Sequence, residues 1–220
     1  KHDTPLKLAQ GKIDRFSDQK LGDIKKILAG EDRASNIVMY TTPNMNGLSV
    51  TAAIVPGENT EGDEDGLADG ISASLNYKNQ FITAALARND DINSLDTTRL
   101  AAEIKSNDVK IGLLLQSAEA SEGSDEEDSF VISTAINVPN DFILKAQFSF
   151  ADVSVTEDFI EFKGEITQIA FGVDKKLDKN NTLFAYYSTI ESDISADFGT
   201  VTSGISVDDT TFAIGYELKF

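Results

Sequence analysis

The side chains most able to do chemistry lie between positions 11 and 34, where acidic and basic residues are interleaved. Opposite charges held across a narrow opening create a transverse field that sorts solutes by charge and size. A solvated loop of mixed charge is the simpler interpretation, and the residues alone favour it. The charged side chains of this stretch are Lys12, Asp14, Arg15, Asp18, Lys20, Asp23, Lys25, Lys26, Glu31, Asp32 and Arg33.

Catalytic and metal-binding chemistry have few candidate residues in these 220 positions. The chain has no cysteine and one histidine, His2, so it lacks thiol nucleophiles, thiolate zinc sites and multi-histidine sites. It also lacks a Gly-x-Ser-x-Gly elbow and a phosphate-binding loop. The acidic run at 63–70 lacks the ligand spacing of a helix–loop–helix calcium site. We therefore expect no enzymatic activity, no metal and no cofactor.

The net charge of −18, from 37 Asp and Glu against 19 Lys and Arg, argues against a nucleic-acid partner. Most of the excess carboxylates fall in four stretches, at 56–77, 111–144, 152–165 and 191–209. The remainder of the chain is close to neutral. The acidity therefore belongs to a few segments that we interpret as loops, and not to the framework between them.

That framework alternates apolar and polar residues with the period of a β-strand, most clearly at 71–78, 142–151 and 211–220. The only helix expected is a turn or two near 21–28. Short turns are predicted at 43–47, 78–80, 106–108, 139–141 and 178–181, and long connections at about 11–34, 56–70, 89–98, 118–128, 152–165 and 191–209. Short connections at one rim and long ones at the other predict an all-β, antiparallel up-and-down sheet.

Two classes of protein fit this pattern. An outer-membrane β-barrel has short turns on one side, long loops on the other, an apolar face toward lipid and a polar face toward a lumen. A soluble, secreted all-β binding protein with acidic loops is the alternative. Aromatic residues near both rims favour the membrane, because amphipathic rings collect at headgroup level; they are Tyr40, Tyr77, Phe81, Phe142, Tyr216 and Phe220 near short turns, and Phe130 and Phe150 near the other rim.

Several motifs resemble those of Gram-negative general porins. The opening His2–Lys7 and then Gly11–Phe16 look like the segment that enters the third loop of these proteins, which folds into the barrel. Asp32–Asn36, followed by Tyr40–Gly47, is similar to the exit from that loop and the next hairpin. The final Tyr216–Phe220 resembles the terminal aromatic signal that the outer-membrane assembly machinery reads.

The resemblance implies a transmembrane barrel of sixteen strands, usually a homotrimer, that lets ions and small hydrophilic solutes diffuse across the outer membrane. It implies that 11–34 is the constriction loop, and that outer-membrane lipid and the assembly machinery, through Phe220, are partners. A substrate-specific channel of the same fold stays open. The residues that we assign are Asp14, Arg15, Asp18, Asp23, Glu31, Asp32 and Arg33 in the constriction loop; Arg99, Lys105, Lys110 and Lys145 as lumen-facing cations; and Tyr216, Leu218 and Phe220 as the assembly signal.

The strand count predicts that the chain, 1–220, is a single incomplete barrel domain without its N-terminal strands. About eleven strands and a stub fit into 220 residues, whereas sixteen would take roughly 300. We expect an open sheet with edges at the stub and at Thr211–Phe220. Because the acidic loops would concentrate cations near the mouth, we also expect a weak preference for cations, strongest at low salt.

Overall fold

A computed structural model describes residues 2–31, 33–56, 66, 68–157, 160–197 and 202–219. Almost all of these residues are β-strand. A small antiparallel ladder pairs β1 (His2–Asp3) with β2 (Arg33–Ala34). The only α-helix in the described part of the chain, α1, spans Pro5–Ala9, and a single 3₁₀ turn lies at Ile24–Lys26.

The other eleven strands form one antiparallel sheet in which every strand pairs with its neighbour in the chain. They are β3 (Val38–Thr41), β4 (Leu48–Val55), β5 (Gly70–Lys78), β6 (Ile82–Ile92), β7 (Leu95–Ser106), β8 (Val109–Ala120), β9 (Glu126–Val138), β10 (Phe142–Glu157), β11 (Ile160–Lys176), β12 (Asn181–Asp197) and β13 (Thr202–Leu218). Within the described residues the sheet does not close, because β3 and β13 are its two edges. The predicted all-β, up-and-down architecture of an incomplete barrel is confirmed.

The two faces of the sheet differ sharply. One face carries a continuous row of apolar side chains that lie opposite one another in successive strands; the leucines of this row are exposed and its two phenylalanines are half-buried. Leu86 in the middle of this row is 52% exposed. An apolar patch this broad is what a strand face presents to lipid. The row runs Leu75, Leu86, Leu100, Leu115, Phe130 and Phe150 across β5 to β10.

The opposite face is covered by residues 4–31, which we call the crossing segment. Side chains of the crossing segment are buried against strands from β5 to β12. We call this side of the sheet the covered face. It is rich in serine, glutamine and alanine, and its residues are the ones that position the candidate site.

Tight turns join the strands at the rim where short connections were predicted. The connections are 42–47, 79–81, 107–108, 139–141 and 177–180, and asparagines with positive φ occupy several of them, including Asn46, Asn107 and Asn140. Asparagine tolerates this left-handed conformation better than most residues. The predicted short turns are therefore all present.

Three of the long connections predicted at the other rim are wrong for most of their length. β10–β11 and β12–β13 remain paired through the acidic residues of 152–165 and 191–209, up to the few residues outside the described ranges. The predicted loop at 89–98 is a two-residue turn, Asn93–Ser94, in which both residues have positive φ. Polar residues occupy both faces here, so the apolar period that reveals a strand is missing although the backbone ladder still forms.

The predicted loop at 118–128 also shrinks, to 121–125. The long connection predicted at 56–70 lies mostly outside the described residues. Two expectations about the start of the chain need correction. The stub does not form an edge of the large sheet, because β1 pairs with β2 and the edge strand is β3. The helix expected near 21–28 is only the 3₁₀ turn at Ile24–Lys26.

Candidate functional site

Apolar side chains fix the crossing segment to the sheet in three places. Leu6 of α1 packs with Ala85 and Ala87 of β6. In the centre, an apolar cluster joins Ile13, Ile24, Ile27 and Leu28 to Ala101, Leu114 and Val131. At the far end Phe16 packs against Ala170 and Tyr186, with its ring centroid 6.1 Å from that of Tyr186. Each fully buried large side chain contributes about 1.5–3 kcal/mol.

Two glycines of the sheet make room for these anchors. A Cβ added to Gly112 would lie 2.9 Å from Ile13 Cγ1, and one added to Gly172 would lie 2.7 Å from Phe16 Cε1. Both distances are below normal carbon–carbon contact. The sheet therefore lacks side chains at the two points where the crossing segment inserts its own.

Uncharged polar side chains of the covered face hydrogen-bond to the backbone of the crossing segment. Gln168 Nε2 donates to the carbonyls of Leu21, at 2.8 Å, and of Asp23, at 3.2 Å. Gln147 accepts from the amide of Arg15 and donates to the carbonyl of Gly22. Further bonds of this kind to the crossing segment come from Ser72, Ser133, Tyr186 and Ser188. These contacts satisfy backbone groups that burial would otherwise leave unpaired.

A buried ion pair joins the end of the crossing segment to β7. Arg99 Nη1 lies 2.6 Å from Glu31 Oε1, and neither side chain is more than 6% exposed. The same guanidinium donates to Gln116 Oε1 and to the carbonyl of Ala29. Burial raises the pKa of Glu31, and the charge of Arg99 opposes that shift. Arg99 therefore lies on the covered face, with its guanidinium directed at the crossing segment.

Arg15 makes the second buried pair, with Glu103 of β7. Arg15 Nη1 lies 2.7 Å from Glu103 Oε2 and also donates to the carbonyl of Lys12. Lys105 lies 3.2 Å from the other oxygen of Glu103. One carboxylate is thus shared by two cations, and the group of three carries a net positive charge.

The aspartates of the crossing segment mainly shape its own turns. Asp23 accepts from the amides of Asp18 and Lys25, and Asp14 accepts from those of Phe16 and Ile24. Burial, with the nearby charge of Asp23, raises the pKa of Asp14 to about 7. Asp18 differs from the others because its side chain is 91% exposed.

The remaining predicted site residues are not members of the buried ion pairs Arg99–Glu31 and Arg15–Glu103. Arg33 pairs with Asp3 in the small β1–β2 ladder, at 3.0 Å, while Asp32 lies outside the described residues. On the covered face, Lys145 pairs with Asp174 at 2.8 Å and lies over the ring of Phe16.

Lys110 of β8 lies directly opposite Lys105 of β7. Of the proposed assembly signal, Tyr216 and Leu218 are exposed side chains of edge strand β13, and Phe220 lies outside the described residues.

Sequence reasoning missed the glutamines and serines that hold the crossing segment. The alternation of β10 does assign Gln147 to the face opposite Phe148, so the face of this residue was predictable. The contact of Gln147 with the amide of Arg15 was not predictable, because the two residues are 132 positions apart in the chain. Helix α1 did have a local signal, since Thr4 and Pro5 are a good N-cap and first helical residue.

In the part of the chain that the structure describes, no helix is long and apolar enough to cross a membrane. Nor do the described residues bring three or more His, Asp or Glu side chains together in a way that could hold a metal ion.

A strand order that follows the chain, an exposed apolar face and a polar face crossed by an anchored segment define the class of outer-membrane β-barrel proteins. Within that class, the chain belongs to the Gram-negative porin family, whose sequence pattern matches residues 9–197. This membership confirms the predicted family and places the protein in the outer membrane.

Solved structures share the fold at low sequence identity. An anion-selective porin from Comamonas acidovorans matches with a TM-score of 0.66 and 16% identity, over 98% of this chain and 65% of that one. In-vitro folded OmpT, an outer-membrane protein of Vibrio cholerae, matches with a TM-score of 0.63 and 14% identity, over 84% of this chain and 64% of that one. The chain thus spans slightly less than two thirds of the length of these proteins. No curated protein sequence matches it.

Proposed function

We propose that the protein is an outer-membrane channel through which ions and small hydrophilic solutes diffuse passively, and that the crossing segment is its constriction. The observation that carries this proposal is the anchoring of the segment across the covered face, through the buried pair Arg99–Glu31 and the bonds from Gln147 and Gln168. A segment held in this way inside a barrel narrows the path without blocking it. The family and the fold point to a channel and not to an enzyme.

The surface of the crossing segment is suited to a water-filled path. A cavity of about 580 Å³ lies beside it and is lined by charged side chains, among them Asp18, Lys25 and Arg33. Charged linings of this kind favour hydrated solutes and disfavour apolar ones. The opposite, apolar face of the sheet would contact outer-membrane lipid.

The proposal requires that further strands close the barrel. Edge strands β3 and β13 expose unpaired backbone groups, which are costly in lipid. We propose that 1–220 is one incomplete domain of a sixteen-stranded barrel and that N-terminal strands of the full-length protein complete it. A homotrimer fits this picture, since one OmpT structure from Vibrio cholerae, with a TM-score of 0.62, is described as a trimer form. The C-terminal residues up to Phe220 would be recognised by the assembly machinery.

Conductance of the purified full-length protein in a planar bilayer tests this function. A diffusion channel gives discrete conductance steps that rise in proportion to salt concentration. Uptake of neutral sugars into proteoliposomes should fall steadily as the sugar becomes larger. Saturation by one solute at low concentration would indicate a substrate-specific channel, and the absence of conductance steps from correctly folded protein would refute the proposal.

A further inference from the structure

The charged residues of the crossing segment divide by sign between its two sides. Residues 4–31 contain six Lys or Arg and four Asp or Glu. Of the acids, Asp23 and Glu31 are buried and Asp14 is partly buried in the turns, leaving Asp18 as the exposed one. Lys12, Lys20 and Lys26 are exposed and form no ion pair with any described residue. The exposed surface at Lys12, Lys20 and Lys26 is therefore basic, whereas the cavity at Asp18, Lys25 and Arg33 is lined by charges of both signs.

The strands beneath the segment add further positive charge. Lys105 and Lys110 sit directly opposite each other on β7 and β8, an arrangement of like charges that costs stability in a sheet. Lys145 of β10 belongs to the same row across the sheet. Ala135 of β9 lies between Lys110 and Lys145 and is opposite both. Lys12 and Lys105 also line a small cavity of about 140 Å³ together with Lys78. Lys105 and Lys145 pair with Glu103 and Asp174, and Glu103 also lines this cavity, whereas Lys110 has no ion-pair partner among the described residues. Because Glu103 is shared with Arg15, this group keeps one excess positive charge, so the positive charge of the crossing segment continues onto the sheet.

Many acids of the chain lie far along the strands from this charge. The nearer ones are Glu103 and Asp174, which pair with Lys105 and Lys145, and Glu127, which accepts from the amide of Ala29. Asp128 is opposite Ser117, seven residues along β8 from Lys110. At about 3.4 Å per residue this separation is about 24 Å, against a Debye length of about 8 Å at physiological salt. Acids as far along the strands as Asp128 therefore have little effect at the level of Lys110 unless the ionic strength is low.

We propose that the constriction selects small anions over cations, and that Lys12, Lys20 and Lys26, supported by Lys110, determine this preference. This inference rests on the proposed channel function and names the class of solute that the channel favours. It differs from the weak cation preference expected from the acidic segments. That expectation considered only the mouth of the pore, whereas selectivity is set where the path is narrowest and ions pass closest to fixed charges.

The reversal potential of the full-length protein in a planar bilayer under a KCl gradient, at neutral pH and physiological ionic strength, tests the inference. The wild-type protein should pass chloride more readily than potassium. The triple variant Lys12→Gln, Lys20→Gln and Lys26→Gln should lower the chloride-to-potassium permeability ratio by roughly twofold for each lysine. Lys110→Gln should lower it further when added to the triple variant.

The matched control is Lys179→Gln, which removes an exposed lysine in the turn at 177–180 that forms no ion pair within the described part of the chain. It should leave the permeability ratio unchanged. Exposed substitutions of this kind seldom alter stability by more than about 0.5 kcal/mol, so all variants should assemble. A wild-type preference for potassium, or a triple variant with an unchanged ratio, would overturn the inference while leaving the channel function intact. The absence of any conductance would instead refute the function itself.

Discussion

The guanidinium of Arg99 lies 2.6 Å from the carboxylate of Glu31, and the contact joins two buried residues 68 positions apart in the chain. It connects strand β7 to the last residue of the crossing segment. Removing one partner of such a pair leaves an uncompensated buried charge, which typically costs about 3–5 kcal/mol. The pair therefore keeps the segment seated against the sheet.

We expect Glu31→Gln to lower the free energy of unfolding and to release the nearby end of the crossing segment. Urea unfolding in detergent micelles measures the first effect, and larger or noisier single-channel currents report the second. The control is Arg88→Gln, which breaks an exposed pair with Asp96 whose expected contribution is about 0–1 kcal/mol. Equal losses of stability in Glu31→Gln and Arg88→Gln would show that the buried pair does not anchor the segment.

The glycine that receives Phe16 gives a second prediction. Gly172→Ala places a Cβ 2.7 Å from the Phe16 ring, and overpacking of this kind costs about 1–3 kcal/mol. On the same strand, a Cβ at Gly164 would lie 3.9 Å from its nearest neighbour, Ile194 Cγ1, so Gly164→Ala should be tolerated. Thermal unfolding of both variants makes the comparison. If Gly172→Ala is as stable as Gly164→Ala, Phe16 is not seated against the sheet as described.

The hydrogen bonds from the uncharged side chain of Gln168 to the crossing segment give a third prediction. Gln168→Leu keeps the volume of the side chain but removes its bonds to the carbonyls of Leu21 and Asp23, and it leaves the buried hydroxyl of Ser149 without its acceptor. A buried polar group left without its partner costs about 1–3 kcal/mol. Thr210→Val, which removes an exposed hydroxyl from edge strand β13, should cost much less. Chemical unfolding of the two variants would contradict this account if their order of stability were reversed.

The raised pKa of Asp14, about 7, predicts a pH-dependent stability. Because burial raises this pKa above its ordinary value, the folded state binds the Asp14 proton more tightly than the unfolded state does. Stability from this group is therefore fully present at pH below the unfolded value of 3.8, falls as pH rises toward about 7, and is constant above that.

Asp14→Asn removes the titration while keeping an oxygen that can accept from the amide of Phe16. Melting temperatures measured from about pH 5 to about pH 8 should decline less in Asp14→Asn than in the wild-type protein. Glu31, whose pKa burial also raises, contributes in the same direction in both proteins. Parallel melting curves for the two proteins would contradict the assignment to Asp14.

The sequence was sufficient for the framework because alternation and turn residues are local signals. The period of two in β5, β10 and β13 and the asparagine-rich tight turns predicted the sheet and its short-turn rim. Local signals failed where both faces of a strand are polar, as in β12 near Glu191 and Asp193. There, charge density was interpreted as a loop, although backbone pairing does not depend on an apolar face.

The candidate site was predictable only in part, because its contacts are long-range. Alternation assigned Arg99 and Lys145 to one face of their strands. No local signal in the sequence indicates that Glu31 would form an ion pair with Arg99. The burial of Asp23 and Glu31, with lysines left on the outside of the segment, follows from how the segment lies across the sheet. That arrangement depends on Gly112, Gly172 and the glutamines together, which no single motif contains.

The most direct test of the central claim asks whether ions pass the crossing segment. Because residues 1–220 contain no cysteine, Lys26→Cys introduces a thiol on the exposed side of the segment, and the parent full-length protein treated with the same reagent shows any effect of thiols elsewhere. Lys179→Cys, in the turn at 177–180, is the control. Single-channel conductance is recorded before and after a negatively charged methanethiosulfonate reagent. The account predicts a stepwise drop in conductance for Lys26→Cys and none for Lys179→Cys; complete labelling of Lys26→Cys with unchanged conductance would contradict it.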